Sequence, residues 1–280
     1  MIEIIAPVKI RDALYLNNGD RVVVYKKTGY GEQKMNGNTV YDCLTYRNEN
    51  INLALEALRA GKMIQIFDSD SREGETDLVI SAKAVTYKEV KWMRKDAGGL
   101  ICVAVDPVAA KQLKLPFMAD LVLEASKSSD DLEEVVEKEG DLKYDSHSSF
   151  SLWVNHRDTR TGIPDNERAL TIRKIGEITE KSLSGKETPF GEEFRTPGHV
   201  ALLRAAEGLL EERKGQTELS VALAQMAGVT TAMVVCEMLD DYNGKALSKE
   251  KAKEYGKDNR LVFLEGQEIV EAYITWKGCD

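Results

Sequence analysis

From about Asn48 onward, short apolar runs alternate with stretches whose apolar residues recur at helical spacing, and this alternation limits the fold more than any other feature. Ile51, Leu55 and Leu58 share a helical face, Gly61 stops that helix, and Met63–Phe67 follows as a strand. Leu78–Ser81, Leu100–Val105, Phe150–Val154, Ala232–Met238 and Leu261–Leu264 read as further strands, as does the apolar run after His199. Between them the pattern places a Thr86-capped helix reaching Asp96, helices over Asn166–Lys181 and Thr217–Ala227, a Ser248-capped helix, and a last helix ending near Trp276. Strands separated by helices specify a layered αβα domain and exclude a β-sandwich or a bundle. Asp130–Asp145 is acidic with little pattern, and we expect a surface excursion there.

Residues 1–46 have another character. Ile2–Ile5, Val8–Leu16 and Arg21–Tyr25 read as short strands around the turn Asn17-Asn18-Gly19-Asp20, because Asn and Gly tolerate positive φ. The Gly- and Asn-rich stretch 27–46 reads as a linker. The expected division is a β-rich appendage over 1–46 and the main domain over 47–280.

A net charge of −9 argues against a nucleic acid bound through its phosphates, so no nucleic-acid partner is expected. No apolar run approaches the roughly 20 residues of a membrane span, and the start Met-Ile-Glu-Ile-Ile lacks the basic opening of a signal peptide. Cys43, Cys102, Cys236 and Cys279 are scattered and form no CxxC pair, which fits reduced thiols. We expect a cytoplasmic protein without a membrane partner.

Four stretches could carry chemistry. Asp68-Ser-Asp-Ser-Arg-Glu-Gly-Glu-Thr-Asp77 packs five carboxylates and one arginine into a loop after an apolar strand. Hard oxygen donors at that density suit Mg²⁺ or Mn²⁺, and Gly74 permits a tight bend; read from composition alone, the loop is as readily a solvated acidic surface. Phe194-Arg-Thr-Pro-Gly-His199 presents one of only three histidines at a strand edge, as an acid/base candidate or as a packed ring. Arg213-Lys-Gly-Gln-Thr-Glu218 opens a helix, where free N–H groups beside Arg213, Lys214 and the Thr217 hydroxyl make an anion pocket or simply a helix start with basic flanks. Glu237 ends an apolar strand after Cys236, where it either faces water or, at a cleft, is tuned for proton transfer. Cys102, inside an apolar run, reads from its surroundings as a small core residue.

Together, Phe67–Asp77, Arg94-Lys-Asp-Ala-Gly-Gly-Leu-Ile-Cys102, Phe194–His199 and Cys236-Glu237, with Thr161-Gly-Ile-Pro-Asp-Asn166 between them, resemble 3,4-dihydroxy-2-butanone 4-phosphate synthase of the archaeal type over about residues 48–276. The resemblance implies an α+β fold, a three-layer αβα sandwich around a mixed sheet, and a homodimer with sites near the subunit interface. It implies a lyase of riboflavin biosynthesis that converts D-ribulose 5-phosphate to 3,4-dihydroxy-2-butanone 4-phosphate and formate, with Mg²⁺ or Mn²⁺ as cofactor. Carried onto this chain, His199 and Glu237 are catalytic, supported by Asp68 and Glu75. Arg72, Glu73, Asp77, Cys102, Arg213, Lys214, Gly215, Gln216 and Thr217 bind substrate, and Glu73 and Gln216 hold the metal. The chain departs from the family at Gln216, where the family has a metal-ligand histidine. That departure leaves open a weakened or non-catalytic sugar-phosphate-binding relative; a different sugar-phosphate isomerase or aldolase, which would release no formate, is a further alternative. Residues 2–24 resemble the C-terminal end of the archaeal CTP-dependent riboflavin kinase, implying a remnant without kinase activity.

Overall fold

A computed structural model describes residue 46 and residues 48–127, 130–138 and 140–278. The expected appendage of residues 1–46 lies, apart from Tyr46, outside the described residues. Among the described residues seven strands form one mixed sheet: β1 (Ile64–Phe67), β2 (Thr76–Ser81), β3 (Cys102–Val105), β4 (Phe150–His156), β5 (Phe194–Arg204), β6 (Ala232–Glu237) and β7 (Phe263–Glu265), in the order β4-β5-β3-β6-β2-β1-β7. β3 runs parallel to β5 and β1 parallel to β7, while the other neighbours are antiparallel.

Strand alternation sends side chains to two cores, one on each face. On the first face Ile64, Ile66, Val79, Cys102, Ala201 and Val235 pack under α1 (Glu49–Arg59), α8 (Gln216–Ala227) and α10 (Gly266–Lys277). On the second, Leu78, Ile80, Val103, Leu202 and Val234 meet α2 (Tyr87–Asp96), α6 (Asp165–Leu183) and α9 (Lys249–Asn259). The remaining α-helices of the described residues are the short α3 (Pro107–Gln112), α5 (Asp130–Glu133) and α7 (Phe190–Glu193), and α4 (Met118–Ser126). The expected three layers are present. Among the described residues no helix is long and apolar enough to cross a membrane.

Local chemistry explains the helix ends. Thr86 and Glu89 make a reciprocal capping box, Ser248 caps α9, and Gly228 ends α8 at φ +66°. α8 is buried on nearly every side, because the sheet lies beneath it and α1 and α10 cover it.

Three readings need correction. The strand expected from Leu78 starts at Thr76, which puts Asp77 inside the sheet. The strand expected after His199 begins at Phe194, so Phe194–His199 is the first half of β5, where Gly198 passes so close to β4 that a Cβ would lie 2.0 Å from the Val154 carbonyl carbon. Asp130–Asp145 is not merely a surface excursion, because its end turns inward and carries Tyr144 and Asp145 to the acidic loop.

Candidate active site

The loop between β1 and β2 is shaped by Asp68. Its carboxylate is buried and accepts the backbone N–H groups of Glu73 (3.0 Å) and Glu75 (3.1 Å), bending the chain back on itself. Gly74 makes the reversal at φ +68°, a conformation in which a side chain is strained. Asp68 thereby holds Glu73 and Glu75 in place, and both of its oxygens are spent on that task.

The register supplies the neighbours. Asp77 on β2 faces Glu237 on β6, and Cys102 on β3 faces Val235, two residues before Glu237. Period-two alternation places Asp77, Glu237 and Cys102 on the face covered by α8. Glu73, Glu75, Asp77 and Glu237 sense one another there. Burial, then repulsion from Glu73, Glu237 and Asp68, pushes Glu75 up to about 7. Burial, then Glu237 and the other loop carboxylates, raises Asp77 well above its ordinary range, and burial likewise raises Glu237 and Glu73. Burial also raises the Cys102 thiol, with Glu237 and Asp77 adding to the shift, so Cys102 sits beneath this set as a neutral thiol.

Beside the carboxylates α8 begins at Gly215 without a side-chain cap. A Cβ on Gly215 would lie 2.5 Å from Arg213 Nη1 and 3.1 Å from Arg72 Nη2, so glycine lets two guanidinium groups close on the helix start. Arg213 donates to Glu218 Oε2 (2.7 Å) and to Asp145 Oδ2 (2.5 Å), and Arg72 donates to the same Asp145 oxygen (2.7 Å). Thr217 is buried in the first turn and Lys214 is exposed at the rim. A cleft of about 680 Å³ is lined by Arg72, Arg213, Lys214 and Asp145, and by Lys249 and Gly266; Glu73, Glu75, Asp77 and Glu237 do not line it.

Gln216 bridges the two halves. Its amide nitrogen donates to the backbone oxygens of Ile66 (3.0 Å) and Glu75 (3.1 Å), which settles the amide orientation, since the flipped form would oppose oxygen to oxygen. Gln216 Oε1 is then a buried acceptor without a protein partner, as are both Asp77 oxygens. Orphaned acceptors among mutually repelling carboxylates lack a positive charge, and a hard divalent cation fits that need. Among the described residues no three His, Cys, Asp or Glu side chains converge into a ready chelate. Mg²⁺ suits such a site, being commonly held by one or two protein groups with water and substrate oxygens.

His199 is exposed on β5. Its backbone N–H donates to Asn155 Oδ1 (2.8 Å), and the Asn155 amide, oriented by Thr161 O (3.2 Å), meets His199 Nδ1 at 3.1 Å. Asn155 Oδ1 also lies 3.3 Å from His199 Nδ1, so one amide group holds that side of the ring and leaves Nε2 free to face outward. Gly162 belongs to the same device, because a Cβ there would lie 2.1 Å from the Asn155 amide nitrogen. Extending the registers of Cys102 with Ala201 and Val235 places His199 and Glu237 at one end of the sheet on either side of β3, about 10 Å apart by strand spacing. The structure thus gathers the loop carboxylates, Glu237, Cys102 and the α8 start, and leaves His199 beside them at the open edge.

Sequence reasoning missed four contributors. Asn155 orients His199, Glu218 anchors Arg213 and accepts Ala206 N–H (3.0 Å), and Tyr144 and Asp145 reach Glu73 and the two arginines. Glu218 carried the sole warning, as a carboxylate in the first turn of an apolar helix.

The arrangement has close counterparts. Residues 52–272 match the family model of 3,4-dihydroxy-2-butanone 4-phosphate synthase. The synthase of Methanosarcina mazei is 83% identical over 246 residues, covering 88% of this chain and all of that protein. That of Archaeoglobus fulgidus is 57% identical over 220 residues, 79% of this chain and 92% of the relative. Among solved structures, the Candida albicans synthase superposes with a TM-score of 0.62 at 28% identity, covering 79% of this chain and 95% of that one. A synthase in complex with two magnesium ions superposes at 0.64 with 26% identity, covering 78% and 94%. A sheet with this register, carrying these residues, and relatives this near in sequence place the chain in the 3,4-dihydroxy-2-butanone 4-phosphate synthase family.

Proposed function

We infer that the chain converts D-ribulose 5-phosphate to 3,4-dihydroxy-2-butanone 4-phosphate and formate, with the roles of its residues assigned as follows. The observation that carries the reading is the adjacency of two opposite sites: buried carboxylates of raised pKa next to the Gln216 amide, whose oxygen has no protein partner, and a two-arginine seat at an uncapped helix start. A sugar phosphate has the matching ends, vicinal oxygens at one and a dianion at the other.

Arg72, Arg213, the Gly215–Thr217 backbone and the Thr217 hydroxyl bind the phosphate, with Lys214 at the rim. Glu73 and Gln216 would hold the divalent ion, Mg²⁺ or Mn²⁺. When bound, the ion polarises adjacent sugar oxygens and offsets the charge of an enediolate. The reaction needs a base to form the enediol, an acid to release water, a carbon shift, and water again to expel one carbon as formate, so that no net water is consumed. Glu75, pushed up to about 7, can give or take a proton near neutrality. Glu237, desolvated beside Asp77, accepts a proton more readily than an exposed carboxylate does. His199, held at Nδ1 by Asn155, presents its Nε2 from the sheet edge, while Asp77 and Cys102 form the floor beneath the sugar. The same reading makes the protein a cytoplasmic homodimer with its sites near the interface, which light scattering of the purified chain tests.

Formate release from ribulose 5-phosphate across a Mg²⁺ titration, for this chain and Gln216→His, is the deciding experiment. Formate at ordinary Mg²⁺ supports the lyase with a carboxamide at the metal. Formate only at raised Mg²⁺, or only from Gln216→His, means a weakened site. No formate from either protein at any metal concentration sinks the lyase.

A further inference from the structure

Asp145 holds the place that the phosphate reading gives to the substrate. One of its oxygens takes Arg72 Nη2 at 2.7 Å and Arg213 Nε at 2.5 Å, and its side chain is only 6% exposed. Although burial works against the charge, the two guanidinium groups hold the carboxyl below its ordinary value. Asp145 belongs to no helix or strand. Its segment runs from α5 to β4 through turns and bends, until Ser149 O accepts Arg204 N–H at the start of β4. Beyond local turns, the segment is tied down chiefly by Asp145 itself, by the Tyr144 hydroxyl beside Glu73, by the Tyr144 ring 6.0 Å from the Arg72 guanidinium carbon, and by His147 edge-on to Phe117. Its described residues up to Ser148 are exposed or half-buried, so its release costs little.

We propose that Asp145 is an internal stand-in for the substrate phosphate: it occupies the arginine seat in the free protein and is displaced by the dianion, taking Tyr144 off Glu73 as it leaves. This rests on the reading that Arg72 and Arg213 bind phosphate. Charge balance carries it further. Arg72, Arg213, Asp145 and Glu218 form a neutral set. A dianion added on top of Asp145 leaves two uncompensated negative charges in a largely desolvated seat. With Asp145 withdrawn one remains, and Lys214 at the rim offsets it. Glu218 cannot be the group that yields, because it is fully buried on α8 and also accepts Ala206 N–H. One displacement therefore frees both ends of the site, the arginines through Asp145 and the metal-side Glu73 through Tyr144.

The test is binding of inorganic phosphate, by calorimetry, to the full-length wild-type chain, Asp145→Asn and Arg213→Gln, with each variant's fold checked by circular dichroism. A competitor that fills the seat about nine-tenths of the time lowers apparent affinity about tenfold, so Asp145→Asn binds phosphate about tenfold more tightly than wild type. Arg213→Gln loses it. In wild type, amide exchange over residues 141–148 speeds up when phosphate is added. If Arg213→Gln loses phosphate but Asp145→Asn binds it equally or more weakly, Asp145 positions the arginines, and the displacement idea falls while the phosphate seat stands. If Arg213→Gln binds phosphate as wild type does, or no variant binds it, the seat itself is wrong and the proposal falls with it. Exchange over 141–148 that is unchanged or slowed by phosphate also overturns the displacement. Should Asp145→Asn fail the fold check, Asp145→Ser replaces it under the same outcomes.

Discussion

At the residue scale, Gln216 and Glu75 show how an environment converts an ordinary side chain into a functional one. The Gln216 amide is tethered through nitrogen to two backbone carbonyls, so its oxygen is presented without freedom to turn. This is the service that an outer hydrogen bond performs for a ligating imidazole. Gln216→Leu keeps the volume but removes the oxygen, and we expect Mg²⁺ affinity, read by calorimetry, to drop at least tenfold while the fold is retained. Gln216→Glu should retain or raise it. Glu75 is held up to about 7 by burial and neighbouring carboxylates. The pH profile of kcat/KM should contain an ionisation near that value. Glu75→Gln should abolish it and lower kcat by about 10²-fold or more, the usual scale of lost acid/base catalysis. An unchanged profile in the variant would remove Glu75 from the proton transfers.

At the element scale, the start of α8 and the crossing of β4 with β5 depend on missing side chains. Gly215→Ala would drive a Cβ to 2.5 Å from Arg213 Nη1, a flexible end that can give way. The expected result is a folded protein whose apparent phosphate affinity falls about tenfold, the equivalent of one lost interaction of about 1.4 kcal/mol, checked by inorganic phosphate binding. Gly198→Ala meets rigid atoms instead, with its Cβ 2.0 Å from the Val154 carbonyl carbon and 2.3 Å from Asn155 N. We expect a loss of about 3 kcal/mol of stability in denaturant unfolding, since overpacking against backbone cannot relax cheaply. His199 should lose its orientation at the same time, because its partner Asn155 lies at that crossing.

At the scale of the whole molecule, the carboxylate set links stability to pH. Glu75, with a folded value of about 7 against an ordinary 4.5, binds more protons folded than unfolded between those limits. Its contribution is fully present below about pH 4.5 and is lost as pH rises through 7, and Glu73, Asp77 and Glu237 are shifted in the same direction. In chelator the melting temperature should therefore fall between pH 5 and pH 8. Mg²⁺ should restore more of it at pH 8 than at pH 5, because the cation binds the ionised form. A melting temperature that rises over that window would contradict the raised values. A restoration equal at both pH values would place the metal elsewhere.

The sequence by itself determined the layers, most helix ends and the identity of the chemical groups, because hydrophobic period, caps and a ten-residue acidic loop are all local signals. Arg72, Glu73, Glu75 and Glu237 were legible as candidates for that reason, and Gln216 through the family resemblance. Tertiary structure decided what these groups are. Asp68 became the brace of its own loop once its oxygens met two backbone N–H groups, and Asp77 became a buried neighbour of Glu237 because β2 starts two residues earlier than its apolar run. Asn155 and Asp145 were invisible beforehand, since each acts through a partner far along the chain: His199 for one, Arg72 and Arg213 for the other. Local pattern reports which side chains prefer burial, but a pKa, an orphaned oxygen or a shared counter-ion exists only between residues that folding brings together.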